Sequence, residues 1–194
     1  MKQVCIFCGS YQGTQPIYMT AARAMGMGLA RRNLGLVYGG GRVGLMGAVA
    51  DGTLAGGGRV TGVIPQSLVD RELAHVGLSE LHVVASMHQR KAMMAEIADA
   101  FVAMPGGFGT LDELFEIITW AQLGFHKKPI ALLNVGGYFD PLLTFIKHMA
   151  TEGFIKPEHR DALLVKSEVD DLLDALLAYQ PPELEKWIKK RDEL

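Results

Sequence analysis

Short apolar segments at 3–8, 34–38, 59–64, 80–85, 100–104 and 129–134 alternate with longer amphipathic ones at 15–32, 44–56, 87–98, 110–124, 140–152 and 168–179. This regular exchange of a strand pattern for a helix pattern restricts the chain to repeated βα units. Phe101-Val102-Ala103-Met104 and Ile130-Ala131-Leu132-Leu133 are apolar at every position, as strands are when helices cover both faces of a sheet. Right-handed crossovers then predict an α/β fold: a single doubly wound Rossmann-like domain with a mainly parallel sheet, helices on both faces, and ligands beyond the carboxyl ends of the strands. A length of 194 residues suits one such domain. Residues 1–180 are read as that domain. Pro181-Pro182 sets off a charged stretch at 183–191, so residues 181–194 are read as a C-terminal helical tail.

Composition narrows the function. A formal charge of −2 and the lack of any dense run of Lys or Arg argue against a nucleic acid polymer as partner. No stretch approaches the ~20 apolar residues of a membrane helix, and the apolar run before Gly9 is too short for a signal peptide, so a cytoplasmic protein without membrane contact is expected. The terminal Arg191-Asp192-Glu193-Leu194 resembles an endoplasmic-reticulum retention tail, an address with meaning only inside the secretory pathway. Cys5 and Cys8 form C-x-x-C within a strand pattern, where positions i and i+3 face opposite ways, so both are read as buried thiols. The six histidines have no ligand spacing, and no metal is expected.

Glycine is in excess, 23 residues against a usual ~7% of a chain, and three glycine-rich loops follow strands. Gly9-Ser10-Tyr11-Gln12-Gly13 leads into a helix with Thr14 or Gln15 near its cap and Pro16 in its first turn, and resembles an anion-binding turn. Gly39-Gly40-Gly41-Arg42-Val43-Gly44 satisfies G-x-G-x-x-G and opens a helix near Leu45. A dinucleotide fingerprint, however, belongs after the first strand of its unit and wants an acidic residue at the end of the next strand, here Ile64-Pro65. An NAD-dependent oxidoreductase is therefore a weak alternative. Gly9, Ser10, Gly41 and Gly44 stand as further ligand-loop candidates.

The third loop, Pro105-Gly106-Gly107-Phe108-Gly109-Thr110-Leu111-Asp112-Glu113, follows a buried strand and starts a helix. Its glycines let successive N–H groups and the helix dipole face an anion such as a phosphate. Thr110-Leu111-Asp112-Glu113 is equally a T-x-x-E capping box with Thr110 as N-cap, and both readings stand. Ser86-Met87-His88-Gln89-Arg90-Lys91 opens the preceding helix. Arg90 and Lys91 would ordinarily be solvated surface, yet cations early in a helix oppose its dipole, which points to an anionic partner. Glu72 lies in a polar connection between the third and fourth strands.

Met87-His88-Gln89-Arg90-Lys91 together with Pro105-Gly106-Gly107-Phe108-Gly109-Thr110-Leu111-Asp112-Glu113 resembles the paired signature of the LOG family, the cytokinin riboside 5′-monophosphate phosphoribohydrolases, once labelled possible lysine decarboxylases. Similarity runs from Cys8-Gly9-Ser10 through Gly44-Leu45-Met46-Gly47 to about residue 180, and no motif position departs. The resemblance implies hydrolysis of the N-glycosidic bond of adenosine 5′-monophosphates, N6-substituted or plain, giving free base and ribose 5-phosphate without a cofactor. It implies a homodimer with a nucleoside 5′-monophosphate as substrate. By the same resemblance Arg90 and Glu113 are catalytic. Glu72, Arg90, Lys91, Gly107, Phe108, Gly109, Thr110, Leu111, Asp112, Glu113 and Thr119 contact substrate. Met46, Met87, Met93 and Phe108 are apolar candidates for the base pocket, although such side chains more often pack in a core. A non-catalytic nucleotide or cofactor carrier of the same fold is the alternative function.

Overall fold

The computed structural model describes residues 1–71 and 73–181. Glu72 and the tail at 182–194 lie outside the described residues. The strands are β1 (Gln3–Phe7), β2 (Gly35–Tyr38), β3 (Val60–Pro65), β4 (Glu80–Val84), β5 (Ala100–Ala103), β6 (Ile130–Leu133) and β7 (Leu163–Lys166). The helices are α1 (Pro16–Arg31), α2 (Gly44–Ala55), α3 (Gln66–Val69), α4 (Met87–Ile97), α5 (Phe108–Leu123), α6 (Asp140–Thr151), α7 (Pro157–Asp161) and α8 (Val169–Leu177), with a 3-10 turn at Val135–Gly137. All seven strands run parallel in the order β4-β3-β2-β1-β5-β6-β7. The doubly wound fold read from the pattern is therefore present.

Three elements were not anticipated: β7, α3 and α7. Leu163-Leu164-Val165-Lys166 is only four residues long and half-buried at the sheet edge, so it lacks the continuous apolar run and flanking glycines that mark the inner strands. A helix of four or five residues such as α3 or α7 is too short to display a 3.6-residue period.

Two layers of apolar side chains enclose the sheet. Val4, Ile6, Leu36, Tyr38, Val102 and Leu133 pack beneath α1, α2 and α8, joined by Met25, Leu29, Val49 and Leu173. Cys5, Phe7, Val37, Phe101 and Leu132 face the other way, against Met94 of α4, Leu114 and Ile117 of α5 and the buried Phe139. Cys8 belongs to the first layer and Cys5 to the second, and both are free and buried. Burial, with the nearby Glu113 charge adding to it, pushes both thiols above their usual pKa and keeps them neutral.

Helices α1 and α2 meet almost backbone to backbone. A Cβ at Gly26 would lie 2.2 Å from the Val49 carbonyl oxygen, and one at Gly52 would lie 2.5 Å from that of Arg23. Gly26→Ala should therefore destabilise the protein by about 1–3 kcal/mol through overpacking, although alanine is the better helix former. A lower urea midpoint at unchanged slope is the expected result.

Candidate active site

Parallel strands deliver their connecting loops to one edge, and the chain order reverses across β1, which has β2 on one side and β5 on the other. At such a switch point a ligand crevice is expected beyond the strand ends. The turns after β1 and β5 touch there, with Gly9 N–H donating to the Pro105 carbonyl at 3.0 Å. The Ser10 and Arg42 side chains that follow are exposed.

Arg90 sits in the first turn of α4 and is turned inward, only 8% exposed, so the solvated-surface reading of this cation is corrected. Its Nε donates to the Val63 carbonyl at 3.1 Å and its Nη2 to that of Gly39 at 3.3 Å, which ties the guanidinium to the ends of β3 and β2. Nη1 faces Glu113 Oε1 at 3.7 Å. A Cβ at position 39 would fall 1.7 Å from Nη2, so Gly39 has to be glycine for Arg90 to lie here. Carbonyl oxygens at strand ends compensate the buried charge, and they explain why a cation is tolerated at a helix start.

Glu113 projects from the second turn of α5 and is 9% exposed. Among the described residues no hydrogen-bond donor reaches its carboxyl, and Arg90 is its ion-pair partner. Burial lifts its pKa from 4.5 to about 7 against the pull of Arg90, with Asp112 adding to the rise. The capping-box reading is also corrected. Gly107, not Thr110, is the N-cap, the helix begins at Phe108, and no side chain caps it. Thr110 is instead buried against Gly106, where a Cβ would meet its Oγ1 at 2.1 Å. The helix thus starts three residues earlier than the T-x-x-E pattern suggests, with Gly106 packed against both Thr110 and Gly9.

The helix starts around the crevice differ in what their amides do. At α2, Leu45 and Met46 N–H donate to the Gly9 carbonyl at 3.0 and 3.3 Å, and Gly44, at φ 59°, lies against the Ser10 backbone. At α4, Ser86 accepts from Gln89 N–H at 3.2 Å while Gln89 Oε1 accepts from Ala85 N–H at 2.9 Å. At α5, no hydrogen bond ties the amides of Gly107, Phe108, Gly109 and Thr110 to another described residue. Gly107, Phe108 and Gly109 are exposed, Phe108 at 92%, and a Cβ at 107 or 109 would meet open space. Four donors and the positive end of a 16-residue helix are thus left open at the strand-end edge of the sheet.

Lys91 Nζ lies 3.0 Å from Asp112 and 3.1 Å from Glu116, the residues flanking Glu113 along α5. Burial works to lower its pKa, but the hydrogen bonds it donates to Asp112 and Glu116 prevail and raise it. Leu111 is half-buried and packs against the α4 and α5 layer. Gly41 pairs with Ala74 in an isolated antiparallel bridge. Of the apolar base-pocket candidates, Met46 and Met93 pack against the two core layers, whereas Met87 and Phe108 are exposed beside the crevice. Thr119 stands apart. It lies six residues beyond Glu113, about 9 Å along the axis and a third of a turn around it. It is exposed, and its hydroxyl donates to the Phe115 carbonyl at 2.7 Å. Together with Ile118, Gln122, Ile146 and Met149 it lines a groove of about 240 Å³ between α5, α6 and α7 that Arg90 and Glu113 do not line.

Sequence reasoning named Gly39 and Gly9 within glycine-rich loops but missed the contact of Gly39 with Arg90, the Val63 carbonyl and the Gly9 carbonyl. The two carbonyls are backbone atoms, for which residue identity carries no signal. Among the described residues no His, Cys, Asp and Glu group could hold a metal ion, and no helix is long and apolar enough to cross a membrane.

The parallel order, the switch-point crevice and the uncapped helix start beside a buried carboxylate define a Rossmann-like protein with a site suited to a phosphorylated ligand. Residues 46–176 match the family model described as "Possible lysine decarboxylase". The chain is 51% identical over 180 residues to cytokinin riboside 5′-monophosphate phosphoribohydrolase LOG7 of Arabidopsis thaliana, covering 93% of this chain and 83% of that one. It is 51% identical over 176 residues to the cytokinin riboside 5′-monophosphate phosphoribohydrolase of Rhodococcoides fascians, covering 90% and 89%. The chain belongs to this LOG family. Among solved structures it is similar to a molybdenum cofactor binding protein from Rippkaea orientalis, with a TM-score of 0.71 over 92% of this chain and 97% of that one. The Moco carrier protein of Chlamydomonas reinhardtii gives 0.69 over 91% and 98%. At 18% and 20% identity these likenesses concern the fold alone.

Proposed function

We propose that this chain hydrolyses the N-glycosidic bond of adenosine 5′-monophosphates, N6-substituted or plain, releasing the base and ribose 5-phosphate. The observation that carries the reading is the Glu113 carboxyl, buried against Arg90 with a pKa of about 7, one turn from four unengaged amides. The phosphate sits on the amides of Gly107, Phe108, Gly109 and Thr110, and this remote contact places the sugar. Glu113, as carboxylate, stabilises the oxocarbenium character that develops at the ribose and orients or deprotonates the attacking water. Arg90, with Nε and Nη2 already committed to carbonyls, acts chiefly by holding Glu113 through Nη1. Lys91 keeps Asp112 and Glu116 on either side of Glu113 and brings positive charge toward the phosphate. Glu72 is retained as a substrate contact on the family resemblance.

The tested reaction is release of adenine from AMP and of isopentenyladenine from its riboside monophosphate, run side by side with ribose 5-phosphate as the common product. Absence of both products overturns the reading. The pH profile gives a second check. Because the active form of Glu113 is ionised, kcat/KM should fall about tenfold per pH unit below pH ~7 and level off above it. A flat profile between pH 5 and 8 would remove the carboxylate from the chemistry.

The same proposal includes a homodimer. The Thr119 groove is mostly apolar, and Phe125, Phe145 and Phe154, next in sequence to its lining residues Gly124, Ile146 and Ile155, are exposed. Thr119 faces away from the Glu113 crevice of its own chain, so its role as a substrate contact needs a second copy packed on this face of α5. A monomer by sedimentation at micromolar concentration would refute both assignments.

A further inference from the structure

We propose that Tyr138 is a positioning residue for the phosphate-binding turn, an inference that rests on the reading of that turn given above. Its hydroxyl donates to the Gly106 carbonyl at 2.5 Å. In a trans peptide the C=O and N–H point in opposite directions, and the described chain has no cis bond. Holding the Gly106 oxygen therefore fixes the plane of the Gly106–Gly107 peptide and aims the Gly107 N–H away from Tyr138, as the first of the unengaged donors at α5. Without that tether the peptide joins two glycines, and a Cβ at 107 would meet nothing that limits its rotation.

The loop after β6 is built to present this hydroxyl. Asn134, 9% exposed, accepts from Phe139 N–H and donates to Asp140, both at 2.7 Å. Gly136 and Gly137 lie in the left-handed region at φ 59° and 73°. Gly137 is confined further, because a Cβ there would meet Asp140 Oδ2 at 2.6 Å. Phe139, 1% exposed, anchors the turn in the core. Tyr138 itself is 40% exposed, so burial is not what holds it. Its ring stands edge-on to Tyr18 at 5.7 Å and to Phe139 at 5.1 Å. Tyr18 in turn packs under Gly13, where a Cβ would lie 2.7 Å from the ring. One aromatic pair thus links the loops after β1, β5 and β6, and the Tyr138 hydroxyl contacts the turn that would bind phosphate.

Tyr138→Phe keeps both ring contacts and deletes the single hydrogen bond. The expected result is a rise of roughly three- to tenfold in the Kd of ribose 5-phosphate by calorimetry and in the KM of AMP, with kcat within about twofold and the Ki of adenosine, which lacks the phosphate, unchanged. Unchanged ribose 5-phosphate affinity overturns the proposal, as does equal weakening of ribose 5-phosphate and adenosine, which a general loosening of the site would cause. If the unmodified protein hydrolyses AMP and the variant matches it in every constant, the positioning role falls while the hydrolase reading stands. If the unmodified protein does not bind ribose 5-phosphate, both fall.

Discussion

Glu113→Gln is expected to lose roughly 10³-fold in kcat, the scale of a general acid–base or charge-stabilising group, while the protein becomes more stable. The side chain keeps its shape and its place beside Arg90, so AMP should still bind. Folding shifts this carboxyl from 4.5 to about 7, and between those values the folded state holds a proton that the unfolded state has released. Stability therefore declines as pH rises from about 4.5 to 7, and the full cost, about 3 kcal/mol, is present above pH 7. Glutamine carries no charge and avoids that cost. The variant should melt with the parent near pH 4.5 and roughly 6–12 °C above it at pH 8. Retained turnover would clear Glu113 of its role, and a melting gap that does not grow with pH would contradict its burial as an ionised group.

Arg90→Ala should be the most damaging substitution in the site. It leaves the Gly39 and Val63 carbonyls without their donor and Glu113 without its ion-pair partner in a place that water barely reaches. Removing one member of a buried pair typically costs about 3–5 kcal/mol. Since Arg90 is what lowers the Glu113 pKa against burial, the carboxyl should titrate above 7 in the variant and turnover at neutral pH should collapse. Joining Arg90→Ala to Glu113→Gln should recover part of the lost stability, because no charge is then buried alone. A double variant that differs from the parent by the sum of the two single changes would show that the residues do not interact. Denaturation of the four proteins at pH 8 supplies the measurement.

How much of this was readable beforehand varies residue by residue. Ile130-Ala131-Leu132-Leu133 announced a strand covered on both faces because every position is apolar, whereas Leu163-Leu164-Val165-Lys166 did not announce β7, whose half-burial comes from lying at the sheet edge. Glu113 stood out through its motif, but whether it capped α5 or faced a ligand hung on where the helix begins. That point goes with the packing of Gly106 against both Thr110 and Gly9, the second a long-range relation. Arg90 would by position alone be solvated surface, and its clash with the helix dipole pointed only to some anionic partner. Its partners are backbone oxygens 27 and 51 residues away, which no side-chain pattern encodes.

Period and composition alone determined the parallel α/β architecture, the edge at which the strand-end loops gather, the separation of Cys5 from Cys8, and the glycine turn ahead of α5. These follow from local rules: alternation, burial on two faces, and the freedom of a residue without Cβ. Tertiary structure alone decided that the α2 amides bond Gly9 while those of α5 bond no described residue, that Arg90 is buried beside Glu113, and that Thr119 looks onto a different groove. Each of these turns on which distant backbone atoms come within 3–4 Å once the strands have taken their order, and distance in space is not a property of neighbouring letters.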